Sequence, residues 1–155
     1  MSISLQLLKK NKIFATLEDE VLEEFAGSGE ERQFKKGDIL TAELVKGDEV
    51  YLVLEGEVSI GIELAGQDAD IDRLTAEEGE FIGLVNFIGE TVEHATTIAV
   101  TDLKVLAWKA STCRDICERH PAAGYRIAVG VAKRLVKRMH YFNMNILDSL
   151  SWGIE

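Results

Sequence analysis

Val50-Tyr51-Leu52-Val53-Leu54-Glu55-Gly56-Glu57-Val58-Ser59-Ile60 reads as two short apolar strands around a tight Glu55-Gly56-Glu57 turn. The same pattern extends outward on both sides. Upstream, Glu31–Phe34 and Ile39–Ala42 read as strands, with turns at Lys36-Gly37-Asp38 and Lys46-Gly47-Asp48. Downstream come Val58–Glu63, a polar loop at Ala65–Asp70, Ile71–Leu74, and Phe81–Ile82 after Gly79. A glycine-bounded segment runs from Gly83 to Gly89, and Thr96–Val100 and Leu103–Trp108 read as a last hairpin turning at Thr101-Asp102. Glycines recurring about every ten residues between short apolar segments are the mark of many short antiparallel strands.

The period changes at both ends. Thr16-Leu17-Glu18-Asp19 is a capping-box-like start, Leu17, Val21, Leu22 and Phe25 follow at helical spacing, and Gly27 is a stop. Helical pattern returns at Ala110 and holds to Arg119. His120-Pro121 breaks it, because proline disfavours a helical residue before it and starts a new helix well. A long helix then runs from Ala122 to about Asp148. The expected fold is mainly β with flanking helices: an eight-stranded jelly-roll or double-stranded β-helix barrel with a short N-terminal helix and two C-terminal helices. It is expected as one domain over 1–155, with N-terminal helices in 1–28, the barrel in 29–109, a helix in 110–120 and a long dimerisation helix in 121–149.

Bulk properties narrow the function. The chain has 155 residues, 46% hydrophobic and 28% charged, an ordinary globular balance with a buried core. No apolar run approaches the ~20 residues of a bilayer span, and residues 1–11 lack the features of a secretory signal. Two cysteines point to a reducing, cytoplasmic setting. The formal net charge is −10, which repels nucleic acid. Basic residues concentrate late: from Ala122 onward the net is +3, so residues 1–121 carry −13. The expected partners therefore include neither nucleic acid nor membrane.

Four local patterns, in order, resemble the cyclic-nucleotide-binding domain of bacterial catabolite-activator-type regulators, nucleotide-dependent kinases and gated channels. Phe34-Lys35-Lys36-Gly37-Asp38-Ile39-Leu40 looks like the family's first strand pair, and Val50 to Val58 like its central hairpin. Gly79-Glu80-Phe81-Ile82-Gly83 looks like the opening of its phosphate cassette, and His120-Pro121 sits where the family turns between its last two helices. The resemblance covers residues ~5–145 and implies a non-catalytic sensory or regulatory domain.

The resemblance also assigns a candidate ligand site: Gly83, Leu84, Val85, Asn86, Glu93, His94, Ala95 and Thr96. In the family a short helix after the glycine offers backbone N–H groups to the cyclic phosphate, as unpaired helix N-termini do for anions. A glutamate follows that glycine to accept from the ribose hydroxyl, and an arginine about ten residues on pairs with the phosphate. Here those positions are Leu84 and His94; Glu93 adds negative charge beside them, and Asn86 stands where the residue is usually small. Losing both charged contacts should cost roughly 3–6 kcal/mol, or about 10²–10⁴ in affinity. Cyclic AMP or GMP binding is therefore expected to be weak or absent, with no certain cofactor. The alternatives are another ligand, a partner-docking scaffold with no small ligand, or a weak cyclic-nucleotide binder.

Enzymatic patterns are missing. No catalytic triad, phosphate loop or carboxylate pair stands at recognisable spacing, and a cupin-type metal site would need more inward histidines than His94 alone. Cys113, Cys117 and His120 share one helix face, but zinc needs a fourth ligand, so both cysteines are expected in the core and no metal is expected. Trp108 is expected in the core as well. Ala128, Ala132, Leu135, Met139, Phe142 and Ile146 follow a 4-3-4-3-4 spacing, as in a coiled-coil seam, with Gly124 extending the small residues upstream. The long helix is thus the expected surface for a homodimer or another protein partner. No helix-turn-helix follows it in the sequence, so a standard transcription factor is not expected.

Overall fold

The computed structural model describes residues 1–42, 44–61, 74–89, 91–93 and 95–151. The expected loop at 65–70, most of the strand at 71–74, and His94 lie outside the described residues. Two helices open the chain, α1 (Ile3–Lys10) and α2 (Asp19–Ser28), separated by a 3-10 turn at Phe14–Thr16. Ser2 caps α1, its Oγ accepting from the Leu5 N–H at 3.2 Å. The anticipated capping box does not form. Glu18 is the N-cap of α2 without a side-chain bond, and the Thr16 hydroxyl turns back to donate to the Ile13 carbonyl. Thr16 ends the 3-10 turn two residues before the Glu18 N-cap and so lies outside the first turn of α2.

The strands are β1 (Glu30–Phe34), β2 (Ile39–Thr41), β3 (Lys46–Gly47), β4 (Glu49–Glu55), β5 (Val58–Gly61), β6 (Leu74–Ala76), β7 (Phe81–Ile82), β8 (Thr91–Val92), β9 (Thr96–Ala99) and β10 (Leu103–Lys109). They form two antiparallel four-stranded sheets, β1-β10-β4-β7 and β2-β9-β5-β6, and a two-stranded ribbon, β3-β8. Among the described residues, the eight strands of these two sheets fit the expected jelly roll of facing sheets, with the β3-β8 ribbon in addition.

The two expected hairpins are corners. β4 and β5 lie in different sheets, as do β9 and β10. Gly56 turns the first corner at φ +95°, and a Cβ there would sit 2.4 Å from the Asp102 carbonyl oxygen. The Glu57 N–H donates to Thr101 Oγ1 at 3.1 Å, and the Val100 N–H to the Glu57 carbonyl at 2.9 Å. Asp102 Oδ1 accepts from the Lys36 N–H at 3.1 Å. Three turns, 36–38, 55–57 and 100–102, therefore brace one another while each carries the chain between sheets.

The first sheet is buried on both faces, which explains why β4 is apolar nearly throughout. Tyr51, Val53, Val105 and Ala107 meet Val58, Ala76 and Ala99 of the second sheet. Val50, Leu52, Leu106 and Trp108 meet Phe14, Phe25, Ile116 and Ile127 of the helices. Trp108 is buried as expected, and its indole N–H donates to the Phe25 carbonyl at 2.9 Å and to Ser28 Oγ at 3.2 Å. Cys113 and Cys117 pack in the same helix-facing core. Burial pushes the Cys113 thiol up to about 12 and the Cys117 thiol to about 11.

Two helices follow, α3 (Ala110–Arg119) and α4 (Pro121–Ser151). His120 between them bonds Glu24 of α2 through Nε2 at 2.9 Å. The first part of α4 docks through Ala123, Ile127 and Val131. Gly124 lies against Cys117 of α3 and Gly130 against Ile13. Every residue of the predicted seam, Ala128, Ala132, Leu135, Met139, Phe142 and Ile146, is exposed. The stripe that packs on the protein's own core is therefore a different one. No helix among the described residues is long and apolar enough to cross a membrane.

Candidate functional site

β7 pairs with β4, Tyr51 opposite Ile82 and Leu52 opposite Phe81, and so delivers the chain to Gly83 at the edge of the first sheet. Gly83 has φ +71°, and a Cβ there would lie 2.8 Å from the Glu49 carbonyl oxygen. Both demands select glycine. A 3-10 helix, Leu84–Ile88, follows and closes at Gly89, φ +91°.

The side chains of this helix divide between two environments. Leu84 is 6% exposed and belongs to the helix-facing core with Phe14, Phe81 and Trp108. Phe87 packs against that same core, and Val85 is half-buried. Asn86 is fully buried and turns the other way. Its Nδ2 donates to the Glu49 carbonyl at 2.9 Å and to Glu93 Oε1 at 2.8 Å. From α3, Arg114 Nη1 donates to the Asn86 carbonyl at 3.2 Å.

The segment after β8 brings Glu93 into contact with Asn86. Leu44, at φ +64°, donates its N–H to the Glu93 carbonyl at 2.9 Å, and the Glu93 N–H returns to the Val45 carbonyl at 2.7 Å. Glu93 is 8% exposed, which makes it a buried carboxylate at the cassette. Ala95 is buried, and its carbonyl accepts from Thr41 Oγ1 at 3.3 Å. Thr96 opens β9 opposite Gly61 of β5. The fold thus joins Gly83, Asn86 and Glu93, turns Leu84 into the core, and leaves Ala95 and Thr96 on the neighbouring sheet.

A second group lies beside them that sequence reasoning missed. Glu49 accepts at Oε2 from Arg32 Nη1 at 2.7 Å and from the Tyr51 hydroxyl. Burial works to raise the Glu49 pKa, but the bonds from Tyr51 and Arg32 prevail and hold it below the usual carboxylate range. Burial first, and then Glu49, raise the Tyr51 phenol above its ordinary value. Glu93 contributes to that rise, which places two carboxylates near one phenol. The available signal was Glu49 and Tyr51 two apart on one strand, sharing a face. Among the described residues, no group of three or more His, Cys, Asp or Glu is arranged to hold a metal ion.

The sequence matches the cyclic nucleotide-binding domain family over residues 31–120. This chain belongs to that family. Among solved structures, it is similar to the N-terminal domain of a transcriptional regulator from Streptomyces coelicolor A3(2), at 29% identity and TM-score 0.71. That alignment covers 87% of this chain and 93% of that one. A protein from Geobacter metallireducens GS-15 assigned to cyclic nucleotide binding aligns at 25% identity and TM-score 0.71, over 90% of this chain and 100% of that one. The catabolite activator protein of Thermus thermophilus shares the fold at 24% identity and TM-score 0.73, with 88% of this chain matching 62% of that chain.

Proposed function

We propose that this chain is a non-catalytic regulatory domain of the cytoplasm whose cassette has altered or lost cyclic-nucleotide recognition and which acts through contacts with a second copy or another protein. The observation that carries this reading is the cassette's donor set. Leu84, at the position of the ribose-reading glutamate, is part of the helix-facing core. The polar side chain that does face inward, Asn86, is bonded to a backbone carbonyl and to the Glu93 carboxylate. A buried carboxylate next to a phosphate position opposes an anionic ligand in a medium where charge is weakly screened. The fit to a cyclic nucleotide, judged on these side chains, is poor. A thermal-shift screen with cyclic AMP, cyclic GMP and simple anions tests this: neither nucleotide should raise the melting temperature at submillimolar concentration. A shift of several degrees with either one contradicts the proposal.

The second part concerns α4. Its seam residues are exposed, with Leu135 at 39%, Met139 at 59%, Phe142 at 37% and Ile146 at 55%. A stripe this regular and unburied supports a two-fold helix pair. Leu135→Glu with Phe142→Glu puts four like charges into such a seam. Light scattering should show a wild-type dimer and a variant monomer with unchanged circular dichroism. A wild type that is monomeric at micromolar concentration contradicts the pairing. The net charge of −10 further supports a domain that does not bind DNA by itself.

A further inference from the structure

Asn86 is the point where four segments of the chain meet. Its amide has two N–H donors at a fixed angle, and both are used: one on the Glu49 carbonyl at the start of β4 (2.9 Å), one on Glu93 Oε1 after β8 (2.8 Å). Its backbone N–H closes on the Gly83 carbonyl at 2.9 Å, and its carbonyl accepts from the Gly89 N–H at 3.1 Å and from Arg114 of α3 at 3.2 Å. The surrounding backbone leaves room for this one side chain. A Cβ on Gly47 would lie 2.5 Å from both Asn86 Oδ1 and Glu93 Oε1, and one on Gly83 would lie 3.1 Å from Asn86 Nδ2.

We infer that the Asn86 side chain is a built-in clamp that fixes the cassette helix Leu84–Ile88 against the start of β4 and against Glu93 after β8. This goes beyond altered recognition. It states that the chain itself sets the cassette's conformation, so the cassette stands in one arrangement whether or not a nucleotide is added. A buried amide with both donors satisfied is expensive to remove, because Glu93 Oε1 and the Glu49 carbonyl each lose a partner inside the protein. Asn86 is in this sense a positioning residue, and it acts through the segments it joins.

Hydrogen–deuterium exchange read on peptides spanning 83–93 tests the clamp on the whole chain. Wild-type protein without nucleotide should protect this segment, and cyclic AMP should leave its rate unchanged. Asn86→Gly should speed exchange there about tenfold or more while peptides of β4 and β10 keep their rates. Asn86→Asp, of the same shape but without donors and facing Glu93, should be at least as fast. Pairing Asn86→Asp with Glu93→Gln reverses donor and acceptor and should recover part of the protection. A segment that exchanges freely in the wild type, or becomes protected only with cyclic AMP, overturns the clamp. So does an unchanged rate in Asn86→Gly, or a loss of protection that spreads equally to β10. Nucleotide affinity is a separate readout, so the clamp and the loss of recognition can fail independently.

Discussion

The helix-facing side of the first sheet and the cassette end of the same sheet are built from opposite materials. On the first, Val50, Leu52, Leu106 and Trp108 meet Phe14, Phe25 and Ile127, and nearly every contact is apolar. Phe14 stacks on Phe81 with ring centroids 4.6 Å apart and meets Phe25 edge-on at 5.1 Å. Such a region is held by buried area and fit, and tolerates little change of volume. At the cassette end the buried polar groups are Asn86 and Glu93. These contribute little apolar area, and each must keep its hydrogen bonds. Leu84 and Asn86 sit two residues apart on one short helix and fall on opposite sides of this divide. The difference teaches that one side of the sheet answers to buried apolar area and fit, and the other to the completeness of its hydrogen bonds.

Substitutions on the two sides should separate accordingly. The largest effect belongs to Trp108→Ala, which empties the centre of the helix-facing core and leaves the Phe25 carbonyl without the indole N–H. Urea unfolding should report a loss of about 3–5 kcal/mol. Next comes Leu84→Glu, a change that by sequence resemblance would restore the family's ribose contact. Placed among Phe14, Phe81 and Trp108, the carboxylate should instead destabilise the fold by about 3 kcal/mol. Calorimetry on this variant should show no gain in cyclic-nucleotide binding. A variant as stable as wild type that binds nucleotide would show that position 84 reaches the ligand.

The smallest effect is a pH dependence at the junction of α2 with the C-terminal helices. The bond from Arg119 is the main cause holding the Glu24 carboxyl below its ordinary value of 4.5; burial opposes it and His120 assists. A depressed folded-state pKa stabilises fully above the unfolded value, and that contribution is lost as pH falls through the folded one. Stability should therefore decline as pH drops below about 4.5, and Glu24→Gln should remove this part of the decline. Identical acid profiles for the variant and wild type would show that the junction does not depend on this pair.

Much of the scaffold was legible in sequence because strand and helix periods are local. β4 and β10 fall within a residue or two of their expected bounds. The corners were not legible. A glycine turn between two apolar strands looks the same whether the strands pair or part, and what separates them here is the bracing of 55–57 by 100–102 from a distant part of the chain. Likewise the exposed stripe Ala128 to Ile146 on α4 was visible, but the separate face that docks, Ala123, Ile127 and Val131, was not singled out. Within the cassette, Gly83, Asn86 and Glu93 were singled out by resemblance, and the fold brings these three together. Arg32, Glu49 and Arg114 were missed, because the carbonyl and carboxylate that tie them to the site are reached only after folding.

The central claim, that the family fold persists here without ordinary cyclic-nucleotide recognition, is tested most directly by isothermal titration calorimetry of wild-type protein with cyclic AMP and then cyclic GMP. The account predicts no saturable heat at micromolar ligand and dissociation constants, if measurable at all, near about 1 mM, as expected for a loss of roughly 3–6 kcal/mol of charged contacts. A saturable isotherm with a micromolar dissociation constant for either nucleotide would contradict it.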